Sequence, residues 1–273
     1  MNTRRTLLTA AAASLGGGAA TLAAMPKRAA PSLWDPVLGE VPVCQGGITR
    51  AQYIEGTRRE ATTDAERDLD LLEKVGLLDG HLLIGRALLD ANEQRLALPH
   101  FGHPVRELYS YLEPRIAQRR AAPFEAELTR LENLAQANER GQGFREAWQA
   151  VYGRLDVLRA TVPTARGQNA KFLIEHVAMM VDATAGDYGE SISRGRIVNV
   201  LEYHDSAGFL RYAIRVSEEN KARAPGAFQS VLAELAWVQQ NAYPQLLPPQ
   251  RPPISISAVR DRAGRVRALA AQA

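Results

Sequence analysis

The stretch from Phe144 to Val162, FREAWQAVYGRLDVLRATV, decides the fold. Its apolar residues Phe144, Trp148, Val151, Leu155, Leu158 and Val162 recur every three or four positions, which puts them on one stripe of an α-helix ending before Pro163. The same period runs through Phe124, Leu128, Leu131 and Ala135, after Pro123, a residue favoured in a first helical turn. It returns in Ile174, Val177, Val181, Ala185, Tyr188 and Ile192, and again in Phe228, Val231, Leu235, Val238 and Ala242. Strand-like alternation is confined to Ile254-Ser255-Ile256-Ser257. This follows a run from Pro244 to Pro253 that reads as an extended strap along the surface. The fold class is therefore all-α, a multi-helix bundle or a stack of helical hairpins.

Between Leu77 and Ile116 the pattern suggests a pair of short antiparallel helices. Asp79-Gly80 precedes a helix-forming stretch, Ala91-Asn92 makes a turn, and Arg95 to Phe101 resumes the helical period. Such a hairpin resembles a tetratricopeptide unit, but no second copy occurs at that repeat length, so a solenoid is not expected.

Outside the helical body, residues 1–24 have the layout of a secretory signal. Arg4-Arg5 precedes Leu7-Leu8 and an Ala/Gly-rich stretch without further charge, and Leu22-Ala23-Ala24 offers small residues for cleavage. Paired arginines before a weakly apolar middle point to the twin-arginine route, and Lys27 and Arg28 beyond it discourage the general pathway. The expected location is the periplasm. Residues 25–60, with Pro26, Pro31, Pro36, Pro42 and Gly46-Gly47, read as an irregular lead-in, residues 61–243 as the helical domain, and residues 244–273 as a proline-rich strap and basic tail. No later stretch is apolar enough to span a bilayer.

The chain carries 33 basic and 30 acidic residues, and two of the former, Arg4 and Arg5, belong to the signal. Scattered charge of nearly balanced sign leaves no footprint for nucleic acid. The densest basic run, Arg260, Arg262, Arg265 and Arg267, reads as a solvated tail. Cys44 is the only cysteine, so no internal disulfide can form, and with no histidine beside it in Val43 to Gly47 it makes a poor nucleophile.

The chemistry rests on five histidines: His81, His100, His103, His176 and His204. On a continuous helix His100, His103 and Glu107 project to one side, although the residue before Pro104 resists helical geometry, so His103 either stays in register or caps the next helix. His81 faces them from the preceding helix. Imidazole with carboxylate suits iron, copper, zinc or nickel, and His81, His100, His103 and Glu107 form the candidate metal set. Single histidines at such positions also serve as hydrogen-bonding core residues. His176, with Met179 and Met180 at helical spacing, offers a second and softer set, in which methionine as core filler is the competing reading. Glu-x-x-His, His-Glu-x-x-His, Cys-x-x-Cys-His, Gly-x-Ser-x-Gly and phosphate-loop motifs are absent. No reaction is therefore indicated, and an enzyme ranks below a binding protein.

The stretches Asp187-Tyr188-Gly189-Glu190-Ser191-Ile192-Ser193-Arg194-Gly195-Arg196-Ile197-Val198 and Glu202-Tyr203-His204-Asp205-Ser206-Ala207-Gly208-Phe209 form a helical hairpin in which Gly195 supplies a positive φ that ends the first helix. They resemble the periplasmic helical domains of high-affinity iron permease systems. The Gly-x-His-x-x-Glu motif of the related imelysin class is missing, so no ligand set carries over. The resemblance implies a free-standing periplasmic protein associated with iron or another transition metal, with a membrane permease or another periplasmic protein as partner. It adds Glu202, Tyr203, His204 and Asp205 to His176 and Met180 as positions of a second site. The expected function is binding of iron or copper for uptake or delivery. A non-catalytic helical scaffold that binds a partner protein is the alternative.

Overall fold

The computed structural model describes residues 61–273 and two four-residue strands, β1 (Ser32–Asp35) and β2 (Gly39–Pro42). The strands pair antiparallel with Ser32 opposite Pro42, inside the stretch expected to be irregular. The signal at residues 1–24 and Cys44 lie outside the described residues.

Helix α1 (Asp64–Asp90) is 27 residues long, about 40 Å. It opens with a capping box: Glu66 N–H donates to Thr63 Oγ1 (3.2 Å) and Thr63 N–H to Glu66 Oε2 (2.9 Å). Gly80 therefore lies inside this helix and does not precede a new one. After Asn92, left-handed at φ 64°, α2 (Gln94–His103) begins, so the expected pair exists with unequal arms. At Pro104 the chain does not stop. Proline has no N–H to donate, and a π-helical turn (Pro104–Leu108), closed by Tyr109 N–H to Pro104 O, carries the helix on into α3 (Tyr109–Gln118). Helices α4 (Glu125–Gln136) and α5 (Gln142–Ala160) pack on each other. Phe144, Val151, Leu155 and Leu158 are buried along α5, as their spacing requires.

The short helix α6 (Thr164–Gly167) leads into α7 (Ala170–Glu190), followed by α8 (Val200–Asn220), α9 (Pro225–Ala242) and α10 (Ile256–Gln272). Helix α7 packs on α8 and α10, α9 on α8 and α10, and α1 lies across α8 and α7. Between α7 and α8 sits a two-residue hairpin, β3 (Ile192–Ser193) and β4 (Arg196–Ile197). Arg194 (φ 50°) and Gly195 (φ 71°) form its turn. Gly195 thus turns a hairpin, while α7 has already ended at Glu190, and Ile192 belongs to β3.

The C-terminal segment corrects the expected basic tail. Ser255 Oγ accepts from Ala258 N–H (3.2 Å) and caps α10, whose Val259, Ala263, Val266 and Ala270 are buried. Three of its arginines make ion pairs, Arg265 reaching Glu234 at 3.7 Å. Arg262 pairs with Glu234 (2.7 Å) and lies 3.8 Å from the Trp237 ring centre, and Arg267 pairs with Asp182. An apolar stripe half made of alanine, flanked by four arginines, has too little hydropathy contrast to be read as a core face.

Candidate metal centre

Glycines set the helix spacing around the site. A Cβ on Gly80 of α1 would stand 2.6 Å from the Phe209 ring and 3.1 Å from the Gly208 backbone of α8, and Gly208 would in turn meet Gly80. The two backbones touch because neither residue has a side chain. On the α2 side, Gly85 leaves 3.2 Å between its absent Cβ and that of His100. His81, next to Gly80, and Asp205, one turn before Gly208, are thereby driven together, with α2 closing over them.

His81, His103 and Asp205, from α1, α2 and α8, each present a ligand atom within 4.8 Å of the others, and all three are buried. His81 Nδ1–H donates to Leu77 O (2.8 Å), which turns Nε2 toward Asp205 Oδ1 at 3.3 Å. His100 Nδ1–H donates to the same oxygen at 2.7 Å. His103 Nδ1 stands 3.6 Å from Asp205 Oδ2, beyond hydrogen-bond length. His100 Nε2 and His103 Nδ1 are buried without a hydrogen-bond partner. Leaving such atoms unmatched in an interior costs about 1–3 kcal/mol each. A cation would remove that cost at His103, and the donor set of imidazoles and carboxylate fits a transition metal.

Burial works against charge on His81, but the Asp205 carboxylate outweighs it and lifts the imidazole to about 9. Asp205 is held well below the usual carboxylate range: burial opposes its charge, and His81 and His100 overcome it. Burial lowers His100 and keeps it neutral. Glu107, on the π-helical turn, is raised by burial, partly offset by His103 and His81.

Of the first expected set, the rings of His81, His100 and His103 meet, with centres 5.3 to 6.3 Å apart, around Asp205, which the sequence had grouped elsewhere, and Glu107 follows on the π-helical turn. The second set is dispersed. His176 Nε2 bonds Tyr212 OH (3.1 Å), and burial together with Arg159 pushes it down to about 3. Met180 sulfur lies against Gly76, where it fills core space. Tyr203 OH donates to Ala242 O (3.0 Å). Glu202 is buried near the start of α8. His204 Nε2 reaches Leu246 O (3.3 Å) on the strap, its ring is 5.6 Å from that of His100, and burial with His100 holds it at about 3. Spacing alone does not flag Asp79, another buried carboxylate, bound by Arg159, Arg215 and Tyr152 OH (2.7 Å).

Residues 163–272 match the iron permease-associated 4-helix bundle domain. No curated protein and no solved structure matches the chain. The matched span holds α7 to α10, including the whole stretch from Asp187 to Phe209 that suggested iron-uptake domains. Asp205 and His204 lie within it; His81, His100, His103 and Glu107 lie outside. Among the described residues no helix is long and apolar enough to cross a membrane. The cluster can hold a metal ion.

Proposed function

We propose that this chain is an exported helical protein that binds a transition metal, iron foremost, at His81, His103 and Asp205, and serves metal uptake or delivery in the periplasm alongside a membrane permease or another periplasmic protein. One observation carries the reading: ligand-type side chains from three helices converge out of reach of water, and His103 Nδ1 has no hydrogen-bond partner there. Buried polar atoms are as a rule paired, and although His176 Nδ1 and His204 Nδ1 are also unpaired, only His103 Nδ1 is so beside a second imidazole and a carboxylate within ligand distance. The match of α7 to α10 to an iron permease-associated domain supports iron, and Arg4-Arg5 supports export. The test is the metal content of the protein purified from the periplasm of its producing cells. A transition metal at about one equivalent per chain is expected, and Arg4→Lys with Arg5→Lys should leave the precursor in the cytoplasm. Metal-free protein that also fails to take up metal in vitro would contradict the reading.

A further inference from the structure

Beyond α9 the chain is held at fixed points. Tyr243 N–H donates to Gln239 O (3.2 Å) and closes the last turn, and Pro244 cannot continue the helix. The strap that follows is pinned by His204 Nε2–H to Leu246 O (3.3 Å), Ile197 N–H to Gln250 O (3.1 Å) and Tyr188 OH to Ile254 O (2.9 Å). Between strap and helices remains a cavity of about 190 Å³, lined by Leu210 and Arg211 of α8, Gln239 and Tyr243 at the end of α9, and Gln245 and Leu246 of the strap. No acidic residue lines it. Ser206 Oγ–H donates to Tyr203 O (3.0 Å), so Tyr243 OH gives its proton to Ser206 (2.6 Å) and not to the cavity. The donors left are the Arg211 guanidinium and the amides of Gln239 and Gln245, none with a side-chain hydrogen bond or ion pair among the described residues.

From this arrangement we infer that the cavity binds a small organic monocarboxylate, with its carboxylate on Arg211 and its short apolar part against Leu210 and Leu246. The inference does not rest on metal binding. Arg211 keeps contact with solvent, which gives a ligand access, yet partial burial lowers it and no carboxylate of the chain offsets this; Arg159 and Arg215, which face Asp79, are raised in spite of burial. A desolvated charge calls for a partner of opposite sign. One cation without a neighbouring acid matches a single negative charge, and the planar guanidinium fork matches a carboxylate, to which the two amides can also donate. The cavity falls below the roughly 300–1,000 Å³ of sites for drug-sized ligands, which limits the occupant to a short molecule. The pinned strap forms the cavity before the ligand arrives, so little ordering cost is left to binding.

An NMR titration of the metal-free mature protein with butyrate tests it, followed at the side-chain N–H signals of Arg211, Gln239 and Gln245, with chloride at equal ionic strength as the blank. Butyrate should shift these signals saturably, with a dissociation constant on the order of 1 mM, as a ligand of few atoms permits. The neutral isostere butyramide and inorganic phosphate should bind about 10-fold more weakly or worse, the first for want of the charge-assisted hydrogen bonds and the second for its excess charge. Arg211→Gln should lose a similar factor for butyrate, and Arg211→Lys, which keeps the charge but not the fork, should recover part of it. The same spectra report whether each variant is folded. Absence of saturable shifts with butyrate, equal binding of butyramide or phosphate, or unchanged butyrate affinity in a folded Arg211→Gln protein would overturn the inference, and each of these outcomes leaves the metal reading untouched.

Discussion

Asp79 and Asp205 are both sealed from water near the same helix, and their surroundings are opposite. Asp79, on α1 two residues before His81, is matched: Arg159 and Arg215 supply full positive charge, and Tyr152 donates to its other oxygen. Asp205 faces three imidazoles, of which His100 and His103 each keep a ring nitrogen with no hydrogen-bond partner. Asp79 has permanent partners whose role is to hold α1, α5 and α8 together. Asp205 has neighbours whose protons can be exchanged for a metal. Burial and charge alone do not separate a structural carboxylate from a ligand; the chemistry of the partners does.

The largest difference should follow from removing each charge. Asp79→Asn leaves two guanidinium groups without their carboxylate and should destabilise the fold by about 3–5 kcal/mol, the usual cost of breaking a buried pair. Asp205→Asn should cost clearly less in metal-free protein, because Asn can still accept from His100 and the imidazoles can become neutral. Urea unfolding of the two variants measures this, and equal losses would erase the distinction.

The pH dependence sharpens the contrast among the histidines. His176 and His204 have folded pKa values near 3, below the unfolded 6.5. The unfolded chain therefore takes up protons first, and their contribution is complete above pH 6.5. It falls by about 1.4 kcal/mol per pH unit for each ring as pH drops toward 3. His81, raised to about 9, has the opposite sign: its contribution is complete below pH 6.5 and is lost as pH rises through 9. Unfolding free energies at pH 4.5, 7 and 9.5 should show both slopes, and His176→Gln should remove one share of the acid slope. A flat profile from 4.5 to 7 would contradict the burial of neutral rings.

The smallest effect on stability is expected at His100. His100→Leu removes the hydrogen bond that orients Asp205 together with an unmatched Nε2, so metal-free stability should change by only about 1 kcal/mol. Metal affinity should fall roughly 10–100-fold, as for other groups that position a ligand. A large loss of stability with unchanged affinity would make His100 a core residue only.

Much of the helical body was legible from spacing, because Phe144 to Leu158 and Phe228 to Ala242 bury large side chains on one face. Helix α10 was not, since Ala263 and Ala270 contribute little contrast between arginines. Of the candidate cluster, His100 and His103 were legible as neighbours on one helix and His81 as a residue of the preceding one. Asp205 was assigned to the wrong company. Its adjacent residue, His204, faces the strap at Leu246, while Asp205 faces α1. The Gly80–Gly208 contact, which no spacing rule reveals, decides which helices meet there.

The most direct measurement is the unfolding free energy of the mature protein with and without Co(II) or Zn(II), for the parent and for Asp205→Asn. The parent should gain on the order of 3–4 kcal/mol at a few hundred times the dissociation constant, and the variant should gain nothing. No gain in the parent, or an equal gain in Asp205→Asn, would contradict the assignment of this cluster as a metal centre.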